Sequence, residues 1–295
     1  MTFNRLKLVF ITLILALTLT VVFGVQAAKT VGGKHFVWSV ETGRNTIYLL
    51  GSIHVLKQNS YPLAQAIEEA YGCCKKVVFE TDLDGMNDAA SQSKMLSMGL
   101  YPEGETLSQS ISRDTLDMLE KRGLPITAFE RFKPWFVALS VTVMEIQRLG
   151  FDPSLGVDRH FYNRAKRDGK ALDFLETNDF QLNLMAEMDN DQQEAFLRET
   201  LKELEVVEEM VGDMLEAWKE GDSSRLYSIT KIGFEEYPDI YYRFFTQRNR
   251  SWAGKLQKMS ENGEDMLVIV GAGHLVGEGS LIELLKKKGY KVKQK

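Results

Sequence analysis

Only four histidines occur in this 295-residue chain: His35, His54, His160 and His274. Two of them end the same local pattern. Leu49-Leu50-Gly51-Ser52-Ile53-His54 closes one apolar run, and Val268-Ile269-Val270-Gly271-Ala272-Gly273-His274 closes another, so both carry G-x-x-H directly after a run that reads as a strand. The glycine lets the chain turn sharply where a Cβ would clash, and the histidine then stands just past the strand's carboxyl end. In a parallel sheet these ends share one edge, where ligands bind. Glu80 ends a third run, Val77-Val78-Phe79, at the same predicted edge. Two imidazoles and a carboxylate make a donor set for a divalent metal with open positions for water. The same spacing also suits two structural histidines at strand ends, and spacing alone leaves both readings open. Ser52, two residues before His54, lacks the G-x-S-x-G elbow of a serine hydrolase and reads as a hydroxyl supporting its neighbours. The glycines at 271, 273, 277 and 279 mimic a dinucleotide loop, but too little chain follows for a second crossover and no acid ends the last strand. His35 opens a strand and reads as structural.

To converge, these residues need a particular scaffold. Runs at 35–40 and 46–50, joined by a Gly/Asn turn, predict a hairpin. A helix is expected from about Pro62, with Leu63, Ala66, Ile67 and Ala70 at helical spacing, followed by a buried strand at 76–80. Strand, helix and strand within this length form a βαβ unit, so the two strands are expected to run parallel. Residues 86–262 read as mostly helical. Phe136, Leu139, Val143, Ile146 and Leu149 stripe one helix. A longer one carries Leu197, Leu201, Leu204, Val207, Val211, Leu215 and Trp218, backed by a solvated face of Glu199, Glu203, Glu209, Asp213, Glu216 and Glu220. One strand, 170–175, interrupts the helices. A strand at 266–270, a helix at 281–288 and a strand at 290–293 complete the pattern. The expected fold is therefore α/β: a mixed, largely parallel sheet formed from both ends of the chain, with a large helical insertion or cap over about 86–262.

A helix over 240–252 places Phe244, Gln247, Arg248 and Trp252 on one face. Phe244 and Trp252 should anchor it, drawing Arg248 inward, where a guanidinium needs an anionic partner such as Glu80, Glu176 or substrate.

Composition narrows the functions. A formal net charge of −5 gives no basic surface for nucleic acid. Two cysteines exclude a disulfide scaffold or a paired-CxxC zinc site. Adjacent Cys73 and Cys74 read as small buried residues at a helix-to-strand junction, the alternative being a vicinal disulfide or reactive thiol. Residues 1–27 have a signal-peptide pattern: Arg5 and Lys7, then an apolar stretch over 8–23, then Val25-Gln26-Ala27 before the expected cut. The alternative is an uncleaved anchor. The remainder, 28–295, is read as one domain, periplasmic or secreted, with no stable membrane span after cleavage.

Several motifs together resemble the TraB/GumN family, which includes the animal Tiki proteins. They are the run from Tyr48 to Val55, Val77 to Glu80, Glu130 to Trp135, Leu155 to Phe161, Leu175 to Thr177, Gln247 to Trp252 and Val270 to Gly277. The resemblance implies a metal-dependent, peptidase-like hydrolase. His54, Glu80 and His274 would hold a divalent cation (Mn, Co or Zn), and Glu80 would serve as ligand or general base. Arg248 and Asn249 match an R-N motif that would bind substrate or orient a ligand, while Asp158, His160 and Glu176 match further motif positions. The substrate implied is a peptide or a small ester or amide. The wider superfamily also contains haem-binding proteins and esterases. Two alternatives follow: a non-catalytic peptide- or haem-binding protein, and a metal-free esterase with His54 as base.

Overall fold

Residues 33–295, apart from 233, 235 and 236, are described by a computed structural model. Six strands form one sheet: β1 (Val37–Glu41), β2 (Thr46–Ser52), β3 (Lys76–Phe79), β4 (Ala171–Phe174), β5 (Met266–Gly271) and β6 (Lys291–Gln294). Their spatial order is β4-β3-β5-β2-β1-β6. The β4, β3, β5 and β2 strands run parallel, while β1 pairs antiparallel with both β2 and β6. This is the mixed, largely parallel sheet expected, with β2 and β3 parallel. They are not neighbours, however, because β5 lies between them. β5 is buried along its whole length, which explains its unbroken apolar sequence: a central parallel strand is covered on both faces.

The helix after β2 is α1 (Gln65–Cys73), capped at Ala64 rather than starting at Pro62; Pro62 follows a cis peptide bond in the approach to it. At its end Cys74 is buried and Cys73 exposed, and both are free thiols. Burial pushes the Cys74 thiol up to about 12.

The helical part includes α2 (Ala89–Gly99), α3 (Pro134–Arg148), α4 (Val157–Arg167), α5 (Asn178–Ala186), α6 (Asn190–Glu203), α7 (Val207–Lys219), α8 (Ser223–Ile232) and α9 (Gln247–Ser260). The long helix expected across 197–218 is two helices, broken between Glu203 and Val207. Its apolar stripe serves three separate cores. Leu197 and Leu201 enter a helical core with Trp135 and Phe196. Val207 and Val211 enter a small cluster with Val55 and Phe151. Met214 and Trp218 reach the core around the sheet. A straight rod cannot face all three. The acidic face divides likewise: Glu209, Asp213, Glu216 and Glu220 are exposed, but Glu199 and Glu203 are buried. Glu199 is paired there with Lys202.

A turn of π-helix, Tyr242–Thr246, precedes α9. It also interrupts the single α-helix expected over 240–252. No helix among the described residues is long and apolar enough to cross a membrane. The expected leader, 1–27, lies outside the described residues.

Candidate active site

The carboxyl ends of the four parallel strands bring the chemical side chains together. Register places Ser52 beside Gly271 across β2 and β5, and Phe79 beside Ile269 and Phe174. His54, His274, Glu80 and Glu176 each lie just past one of these ends. The backbone N–H of Glu176 donates to the Glu80 carbonyl at 2.8 Å. The ladder therefore runs on far enough to fix the two acids side by side.

Gly271 is the floor of the cluster. A Cβ there would stand 3.1 Å from His54 Nε2, 3.4 Å from Glu80 Oε1 and 3.6 Å from His274 Cδ2. Three reactive side chains thus surround one point that only glycine leaves open. The Gly271 N–H also donates to Glu80 Oε1 at 2.7 Å.

Each histidine is held from behind. His54 Nδ1 lies 3.0 Å from Asp158 Oδ2. The contact is a charge pairing rather than a well-aligned hydrogen bond. Asp158 sits in the first turn of α4, where the helix dipole favours a carboxylate, and its Oδ1 accepts from Ser52 Oγ at 3.0 Å. Burial pulls the His54 pKa down, but Asp158, with Glu80 beyond it, outweighs burial, and the pKa is raised above 6.5. His274 goes the other way: burial, then the neighbouring Arg248 charge, lowers it to about 3. A neutral ring fits its contacts. His274 Nδ1 donates to Asn249 Oδ1 at 2.7 Å, and the Asn249 amide is oriented by its own bond to the Gly279 carbonyl at 3.0 Å. This leaves the Nε2 lone pair as an acceptor facing the cluster.

Arg248 is 6% exposed. Its Nη2 donates to Glu80 Oε2 at 2.6 Å, its Nε to Glu176 Oε1 at 3.0 Å, and its Nη1 to His274 Nε2 and the Phe244 carbonyl, each at 3.1 Å. The anionic partners are the two named from sequence. Burial raises the Glu80 pKa, but Arg248 leads the effects that hold it down, to about 2.

Two participants carried no sequence signal or were read differently. Gln181 donates to Glu80 Oε2 at 3.0 Å and to Glu176 Oε1 at 2.9 Å; a lone glutamine in α5 gives nothing to find. The helical spacing makes Trp252 an anchor. Its Nε1 also donates to Glu176 Oε2 at 3.0 Å, and its ring packs on His274. His160 does not join the cluster. It packs tilted against Tyr61 and edge-to-face against Phe161 and does not line the pocket. His35 pairs through its backbone with Lys295 at the sheet edge.

The donor set fits a divalent cation in kind: an ionised carboxylate and two imidazoles around an open point, with two carboxylates at hand for one guanidinium. It does not yet converge. Among the described residues no three His, Cys, Asp or Glu side chains stand close enough together to hold a metal ion, and the Arg248 guanidinium bridges Glu80 and His274 instead.

A parallel sheet edge carrying acids and imidazoles, roofed by helices, defines an α/β protein with one polar site in a cleft. The chain belongs to the TraB/PrgY/gumN family, whose model matches residues 36–294. It is similar to "Uncharacterized protein YbaP" of Escherichia coli (strain K12), at 24% identity over 86% of this chain and 94% of that protein. It is also similar to "Metalloprotease TIKI2" of Danio rerio and of Xenopus tropicalis, each at 24% identity. Those alignments cover 90% and 87% of this chain but 62% and 59% of the relatives. No solved structure matches the chain.

Proposed function

We propose that this protein is a hydrolase that cleaves an amide or ester bond, in a peptide or a small substrate, at the cluster around Gly271. The observation that carries this reading is that His54, Glu80 and His274 all face the point that the missing Cβ leaves open. The similarity to a metalloprotease supports metal-dependent hydrolysis, and our reading gives a divalent cation (Mn, Co or Zn) to these three residues. When bound there, such an ion would polarise a carbonyl and supply a water of lowered pKa. The chain's own residues do the rest. Asp158 turns His54 so that Nε2 faces the pocket, and Asn249 does the same for His274. Glu80, ionised at neutral pH, serves either as a ligand or as the general base that takes a proton from water. Arg248, beside Glu80 and His274, carries planar donors of the kind that suit an oxyanion or a substrate carboxylate. The expected leader supports action in the periplasm or outside the cell.

A second reading has its own observation. Because Arg248 already bridges Glu80 and His274, His54 backed by Asp158 could act as general base without metal. The purified mature protein separates the readings. Metal content is measured, and cleavage of a peptide mixture is followed before and after exhaustive chelation and on return of Mn, Co or Zn. Loss and recovery of cleavage, with His54→Ala and His274→Ala each binding less metal while still folded, support the metal reading. Undiminished cleavage after chelation supports the His54 base. Saturable peptide binding without products makes the protein a binding module. Soret absorbance on adding haem would instead make it a haem-binding protein.

A further inference from the structure

The pocket that opens onto the cluster has two unlike sides. His54, Glu80, Arg248 and His274 line one. The rest of its lining is mainly apolar and includes Leu139, Met185, Met214, Leu226 and Phe244, contributed by α3, α5, α7, α8 and the π turn. All five are 9% exposed or less. Apart from Glu80 and Arg248, the charged residues lining the pocket are Lys94 and Asp179, and these pair with each other at 2.7 Å. No free charge is therefore offered to a ligand on that side. The cavity is about 100 Å³. An apolar cavity of about 150 Å³ takes benzene, so this space suits a single group of leucine or methionine size. Thioether side chains bend to follow such a group.

We infer that this apolar side is a specificity subsite that accepts one uncharged aliphatic side chain of a peptide, next to the bond cleaved by the polar cluster. The inference rests on the hydrolase reading for the bond but not for the binding. The full mature chain is tested with peptides of the form acetyl-Gly-Gly-Xaa-Gly-Gly-amide, where Xaa is Leu, Met, Phe, Lys or Asp. Cleavage is read by mass spectrometry and binding by calorimetry. In an apolar pocket one methylene is worth roughly tenfold or more. The Leu and Met peptides should therefore be cleaved, and bound, at least about tenfold better than those with Lys or Asp. Met214→Ala and Met185→Ala enlarge the compartment and should each raise the Phe-to-Leu ratio by about tenfold; a ratio is unaffected by a fraction of unfolded enzyme. Cleavage without preference among the peptides overturns the subsite and leaves the hydrolase reading standing. Preferential binding of Leu and Met without cleavage keeps the subsite and removes the hydrolase reading. Neither cleavage nor preferential binding overturns both.

Discussion

Arg248 and Arg250 sit two positions apart in one helix and have opposite surroundings. Arg248 is buried against two carboxylates and an imidazole, whereas Arg250 is exposed and reaches the Tyr242 hydroxyl at 3.4 Å. Arg248→Lys keeps the charge but loses the planar fork. A lost charge-assisted hydrogen bond costs about 1.5–3 kcal/mol, so turnover should fall by tenfold or more. Arg250→Lys should change it little. Steady-state rates on a common substrate decide, and equal small effects would return Arg248 to a structural part. Truncation to Arg248→Ala should also destabilise the fold by about 3–5 kcal/mol, because two buried acids lose their counter-charge. The titrating groups set a pH dependence. In the folded metal-free protein His274 titrates near 3 instead of 6.5, and Glu80 near 2 instead of 4.5. Between these values the unfolded chain binds more protons, so stability should fall as pH drops below 6.5 and fall more steeply below 4.5. His54, with its pKa raised, adds a stabilising contribution that is fully present below 6.5 and is lost as pH rises through its folded pKa, so it shapes the neutral side of the curve and not the acid limb. Urea titrations at pH 7.5, 5.5 and 4 test the sum. His274→Gln should flatten the first part of the acid limb.

At the scale of elements, the two G-x-x-H glycines have different duties despite their identical pattern. A Cβ at Gly51 would meet Phe36 Cδ1 at 2.7 Å and the Ala272 backbone at 3.1 Å. Gly51→Ala should therefore lower the melting temperature, through overpacking of about 1–3 kcal/mol. Gly271→Ala instead pushes into the cluster. It should leave the melt nearly unchanged while metal binding and hydrolysis drop by roughly a hundredfold. Melting curves and activities of both variants give the comparison; matching losses of stability would refute the division of roles. The sequence made the strand ends legible because the apolar runs within β3 and β5 stop at Glu80 and at Gly271. It also made Arg248 legible, because Phe244 and Trp252 flank it at helical spacing. It could not disclose the break near Leu204, since apolar spacing persists through a bend when each half faces a different core. Nor could it disclose the π turn, Gln181, or burial of Glu199 and Glu203. Trp218 passed as one more member of a stripe, yet its indole N–H donates to the Gly51 carbonyl at 2.7 Å, fastening the end of β2 from above.

Across the whole molecule, the site lies between the sheet core, which contains Trp252, and the helical core, which contains Phe244. Arg248 stands between these two residues in the sequence, so it is gripped from both sides. The strand order carries a consequence in time. β5 occupies the middle of the parallel sheet, between β2 and β3, yet it starts only at Met266. As the chain emerges from the ribosome, β2 has β1 on one side and β3 gains β4 at Ala171, but the facing edges of β2 and β3 stay unpaired until β5 is made. The nascent protein therefore holds open strand edges for a long interval, a condition that favours slow folding and aggregation. A chain ending at residue 262 should be recovered as aggregate, and a separate 263–295 fragment supplied during refolding should restore soluble protein if the vacant central position is the cause. Such an order also keeps His274 and Gly271 away from Glu80 and His54 until synthesis is nearly done, so no partly made copy holds the assembled cluster.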